Sequence, residues 1–75
     1  MKYIVYLTDG HGRMISFERW TCSKLETVTS NMKKLLNNSL YRACMREAIA
    51  CKIYRTPDGY NREEKPCKIF FIKAA

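Results

Sequence analysis

The sequence predicts an α+β fold of two layers: one antiparallel sheet of about four strands in ββαββ order, with one main helix across one face. Two pairs of β-branched and aromatic segments, each interrupted by a glycine-bearing turn, predict two hairpins. A single apolar stripe at helical spacing lies between them. Length decides the rest. The chain has 75 residues, read as one domain over 1–75. A domain this short buries only about 60% of the surface its unfolded form exposes. Helix and hairpins must therefore share one core, and a deep enzyme cleft is not expected.

Tyr3-Ile4-Val5-Tyr6-Leu7 is β-branched and aromatic throughout and predicts the first strand. Asp9-Gly10-His11-Gly12 supplies the positive φ of a tight reversal. Arg13 to Trp20 resumes strand chemistry and completes the first hairpin. Ser23 and Glu26 have the spacing of a capping box. Leu25, Val28, Met32, Leu35 and Leu36 then form one helical stripe. Asn37-Asn38-Ser39 ends that helix, because these side chains compete for backbone hydrogen bonds. Residues 40–47 read either as a second short helix capped near Ser39 or as an irregular return. Ala48 to Arg55 is a strand, and Pro57-Asp58-Gly59 is a turn with glycine in the left-handed region. Asn61 to Pro66 lengthens the loop, and Cys67 to Lys73 is the last strand.

One helix covers one sheet face. Period-two alternation assigns Tyr3, Val5, Leu7, Ile15, Phe17, Ile49, Cys51, Ile53, Cys67, Ile69 and Phe71 to the helix side. It sends Lys2, Ile4, Tyr6, Ser16, Glu18, Lys52, Tyr54, Lys68, Phe70 and Ile72 outward. That outer set mixes rings with lysines, and contiguous exposed apolar area marks interaction sites. The expected binding surface is this face plus a hairpin tip, with Tyr6, Tyr54 and Phe70 as anchors and Lys52 and Lys68 as charge contacts; the long polar 57–66 tip reads as a partner-groove insert or as a mobile loop. Four readings of this face stay open: a protein partner, nucleic acid stacked and neutralised by rings and lysines, a homodimer, or cover by residues 40–47 or the chain ends.

Composition narrows the class. Hydrophobic residues make up 47% and aromatics 12% of the chain, which excludes disorder by composition. The longest apolar run near the start, Tyr3 to Leu7, is too short for a signal peptide or a membrane span. A soluble, cytoplasmic protein is expected. The net charge of +7 favours nucleic acid, or an acidic or nucleic-acid-handling partner. Lys33, Lys34, Arg42 and Arg46 are candidate contacts for phosphates or an acidic partner; if 40–47 is helical, Arg42 and Arg46 share a side. The competing reading is an ordinary solvated surface.

Cys22, Cys44, Cys51 and Cys67 are irregularly spaced, with no C-x-x-C. Reduced, buried thiols are the default reading; a Cys51–Cys67 bridge and a four-cysteine zinc site are the alternatives. No metal or other cofactor is expected. His11, the lone histidine, sits at a hairpin tip without a cleft carboxylate, a poor setting for a general base. Cys22 precedes the helix and could feel its dipole, yet reads more simply as a small packed hydrophobe. Glu63 and Glu64 are adjacent in a loop and do not converge. Trp20 reads as cover for the core edge. No catalytic group is assigned.

The strand-strand-helix-strand-strand plan, the basic balance and the Ile53-Tyr54-Arg55-Thr56-Pro57-Asp58-Gly59-Tyr60 segment resemble small accessory proteins of phages and mobile elements, anti-CRISPR proteins among them. The resemblance implies a non-enzymatic protein that occludes a surface of a larger host complex. Many such inhibitors are acidic nucleic-acid mimics, and a basic chain argues against that mechanism. The expected function is therefore inhibition of a host nucleic-acid-handling defence complex by steric occlusion. Direct DNA or RNA binding and a homodimeric interaction module are the alternatives.

Overall fold

The computed structural model describes residues 1–21 and 24–72. The elements follow as β1 (Lys2–Thr8), β2 (Met14–Thr21), α1 (Leu25–Leu36), α2 (Ser39–Cys44), β3 (Ala50–Arg55) and β4 (Lys68–Phe71). The strands form one antiparallel sheet in the order β2-β1-β3-β4. The ββαββ plan, with one main helix, is as expected. No helix among the described residues is long and apolar enough to cross a membrane.

Each turn has a local cause. The Asp9 carboxylate accepts from the backbone N–H groups of His11 and Arg13, and Gly12 takes a φ of 80°. The Asp58 carboxylate does the same for Tyr60 and Asn61, beside Gly59 at 83°. Helix α1 starts from Lys24 without a side-chain cap. Ser23, assigned to the capping box, lies outside the described residues, as do Cys22 and Lys73. Residues 39–44 form the second short helix, and its cap is Asn38, whose Oδ1 accepts from Leu40 and Tyr41 N–H.

The core gathers Tyr3, Val5 and Leu7 of β1, Cys51 and Ile53 of β3, Ala48, and Val28, Met32 and Leu36 of α1. Trp20 packs against it as expected. The alternation predicted for β1 and β3 therefore stands within the two strands. It fails in β2 and β4.

In β2 the cause is a bulge. Leu7 pairs with Ser16 and Thr8 with Met14, which leaves Ile15 unpaired. The extra residue shifts the alternation by one. Ile15 still packs on the core, but Ser16, Glu18 and Trp20 now share the helix-facing side opposite Leu7, Val5 and Tyr3. Phe17 is turned to the open face, opposite Tyr6.

In β4 the run Ile69-Phe70-Phe71-Ile72 is apolar at every position, so the sequence carries no phase. The observed register pairs Cys51 with Phe70 and Ile53 with Lys68. Lys68, Phe70 and Ile72 therefore sit on the helix side, while Ile69 and Phe71 sit on the open face. Cys67 precedes the strand and is exposed, with its Sγ donating to the Ile53 carbonyl at 3.3 Å. Cys44, Cys51 and Cys67 are free thiols, so the alternative Cys51–Cys67 bridge is absent; against the expectation of buried thiols, only Cys51 of these three is buried. Ile49, expected on the helix side, precedes β3 and is exposed, and Ala48 takes the buried place.

Candidate interaction surface

Residues directly opposite in an antiparallel ladder share a face. On the open face the register stacks three rows. Met14, Thr8, Ala50 and Phe71 form the first; Phe17, Tyr6, Lys52 and Ile69 the second; Arg19, Ile4 and Tyr54 the third. Thr8 and Ala50 are small and buried, so the first row is a shallow trough between exposed Met14 and exposed Phe71. Phe71 is 76% exposed, and Phe17 and Ile69 each 46%, large values for apolar side chains on strands.

The third row is different. Ile4 and Tyr54 are only 3% and 8% exposed, although no helix lies on this side. The loop after β3 folds back over it. Glu63 N–H donates to the Arg55 carbonyl at 2.9 Å. The Arg62 guanidinium then stands 4.2 Å from the Tyr54 ring centroid and 5.6 Å from that of Tyr6. Its Nη1 donates to the carbonyls of Glu63 and Glu64, which fixes the fork in place. Of the four open readings, the one in which the chain covers its own face names residues 40–47 or the chain ends; the cover on the third row comes from the long hairpin tip. Tyr60, beyond this fold-back, is exposed.

The charges on the strands of this face have one sign, while the covering loop carries Arg62 next to exposed Glu63 and Glu64. Arg19 stacks on the Phe17 ring at 5.3 Å, Lys52 sits beside Tyr6 across the ladder, and Arg62 caps Tyr54. The open-face strand positions carry no carboxylate. Glu18, the acid of β2, is turned to the helix side.

The nine sequence-predicted site residues divide accordingly. Tyr6, Lys52 and Tyr54 lie on the open face, with Tyr54 sealed under Arg62. Lys68 and Phe70 do not join them; they lie on the helix-facing side because of the β4 register. There they meet the second predicted group. The Lys33 ammonium stands 5.4 Å from the Phe70 ring centroid. Lys33, Lys34 and Lys68 line one furrow between α1 and β4, and Lys33, Arg42 and Phe70 line its continuation. Arg46 lines neither: α2 stops at Cys44, so Arg42 and Arg46 do not share a helix face.

Met14, Phe17, Ile69, Phe71, Arg19 and Arg62 were missed as surface residues. A bulge hid Phe17 and an unphased apolar run hid Ile69 and Phe71. No sequence signal reveals the Arg62 fold-back.

The titratable groups describe packing. Burial pushes the Cys51 thiol up to about 12 and raises the Tyr41 phenol, which also feels Glu18. The N–H donated by Arg13 is the largest cause holding Asp9 low, and that donated by Tyr60 the largest at Asp58. Among the described residues no three His, Cys, Asp or Glu side chains gather into a metal site. The chain matches no family model, no curated protein and no solved structure.

Proposed function

We propose that the chain is a non-enzymatic binding protein whose open sheet face docks on an acidic surface of a protein partner. The observation that carries this reading is the exposed apolar set Met14, Phe17, Ile69 and Phe71 on strands whose open-face charges, Arg19 and Lys52, are cationic with no carboxylate among them. Apolar anchors give such an interface its affinity, and unopposed charge steers the encounter and selects the partner. Self-pairing of this face is disfavoured, because it would set cations against cations. Of the rings expected to stack bases, Tyr54 is sealed and Tyr6 is half-buried beneath the same guanidinium, which leaves that role on the strands of this face to Phe17 and Phe71 alone.

The resemblance to phage and mobile-element accessory proteins supplies the partner class: a host defence complex that handles nucleic acid. The mechanism is steric occlusion of one of its acidic surfaces.

The test is affinity capture from host lysate, with and without nuclease, at about 50 and 200 mM salt, the range over which phosphate contacts weaken steeply. Fluorescence anisotropy with random single- and double-stranded oligonucleotides runs beside it. The reading expects one identified, acidic-surfaced protein, retained after nuclease and lost with the double variant Phe17→Ala/Phe71→Ala. Capture that vanishes with nuclease, or oligonucleotide binding that collapses at the higher salt, overturns it in favour of direct nucleic-acid binding.

A further inference from the structure

Among the described residues strand β4 is an edge of the sheet, paired to β3 alone. The Ile72 N–H donates to the Ile49 carbonyl at 2.8 Å. In an antiparallel ladder the bonded pairs alternate, so Phe70 also bonds inward, opposite Cys51. The N–H and C=O groups of Ile69 and Phe71 then point away from the sheet.

Two furrows flank this edge. One is lined by Leu25, Thr29, Lys33, Lys34 and Asn37 of α1 and its C-cap, together with Lys68. The other is lined by Lys33, Leu36, Asn37 and Arg42 with Phe70, Phe71 and Ile72. They share Lys33 and Asn37, so α1 runs beside β4 with one continuous cleft between its exposed stripe and the strand edge. Lys33, Lys34 and Lys68 have no carboxylate partner among the described residues. Glu26, next to Leu25 in the first turn of α1, is the one acid lining these furrows, against the three lysines.

We infer that this edge accepts an extended acidic peptide as a fifth strand. The outward backbone groups offer donors and acceptors in alternation, which another peptide backbone matches and a phosphodiester, with acceptors alone, does not. Alternate side chains of an added strand face α1, where Lys33, Lys34 and Lys68 select carboxylates and Leu25, Leu36 and Phe70 supply apolar floor. The other edge, β2, is bulged at Ile15, which spoils it for strand addition. This site stands apart from the open-face reading and does not require it.

The probe is a short blocked peptide of alternating valine and glutamate, titrated into the ¹⁵N-labelled chain, with a valine–lysine peptide as control. The expected result is a shift and slowed hydrogen exchange at the Ile69 and Phe71 amides, with the lysine peptide at least tenfold weaker. Phe71→Pro deletes one outward donor and leaves the inward ladder intact, so it should abolish binding. Lys34→Glu with Lys68→Glu keeps the edge and should invert the peptide preference, which guards against misfolding of the proline variant. Shifts confined to the lysine-bearing residues, equal affinity for both peptides, or full competition by a thymidine oligonucleotide would each overturn the inference. The Phe17→Ala variant should bind the glutamate peptide as the parent does.

Discussion

The Arg62 guanidinium lies 4.2 Å from the centroid of the Tyr54 ring, although the two are eight positions apart in sequence and Arg62 lies beyond the end of β3. That contact turns a strand residue on the uncovered face into a buried one. Because Arg62 is itself exposed, the stacking is worth about 0.5–1 kcal/mol. Arg62→Ala should lower stability by that amount in urea unfolding and expose Tyr54 to solvent. Arg62→Lys should recover only part of it, since an ammonium lacks the planar stacking fork. Unchanged tyrosine fluorescence and midpoint in Arg62→Ala would show that the loop does not seal the third row.

The two faces should separate cleanly by mutation. Phe17→Ala and Phe71→Ala remove exposed rings and should cost well under the ~3–5 kcal/mol of a buried aromatic truncation. Tyr54→Ala removes a buried ring and should cost on the order of 3 kcal/mol, a large share of the stability of so short a chain. Phe70→Ala falls between, because its ring packs on the core and under Lys33. Thermal melts of the four variants check the order. A destabilisation by Phe71→Ala as large as that by Tyr54→Ala would mean that β4 is phased the other way.

Those four positions also show where the sequence was legible. Tyr54 and its strand alternate against Cys51 and Ile53, so β3 could be assigned to faces from period two alone. Phe17 could not, because the bulge at Ile15 is a property of how β1 and β2 close their turn and not of any residue type. Phe70 and Phe71 sit in an unbroken apolar run whose phase is set by tertiary contacts, here the core on one side and solvent on the other. Gly59 and Asp58 announced their turn, since only a residue without Cβ takes φ near 83° at little strain. Arg62 announced nothing. Lys33 and Lys34 were legible as cations, but their meeting with Lys68 depends on the same β4 phase.

Tyr41 buries its hydroxyl with no hydrogen-bond partner among the described residues, and burial raises its phenol, with Glu18 adding to the effect. A buried polar atom left unpaired costs about 1–3 kcal/mol, and an apolar isostere removes that cost. Tyr41→Phe should therefore be neutral to stabilising, by up to about 1 kcal/mol in urea unfolding at neutral pH. A loss of stability of that size would instead reveal a hydrogen bond to the hydroxyl.

Cys51 gives the chain a defined alkaline response. Its thiol is fully buried opposite Leu7 and is pushed up to about 12, against 9.0 for the free group. As pH rises past 9.0 the unfolded chain releases this proton while the folded chain keeps it. The unfolded state then binds fewer protons, so stability falls with pH. The contribution is complete below pH 9.0 and is lost towards about 12. The slope from this one group is at most about 1.4 kcal/mol per pH unit. Urea unfolding at a series of alkaline pH values should show the parent losing stability more steeply than Cys51→Ala, in which tyrosines and lysines still titrate. The same burial should protect Cys51 from iodoacetamide in the folded chain while exposed Cys44 and Cys67 react, because the thiolate is the attacking species. Equal slopes in the two proteins, together with ready alkylation of Cys51 in the folded state, would mean that β3 opens to solvent far more often than its place in the middle of the core allows.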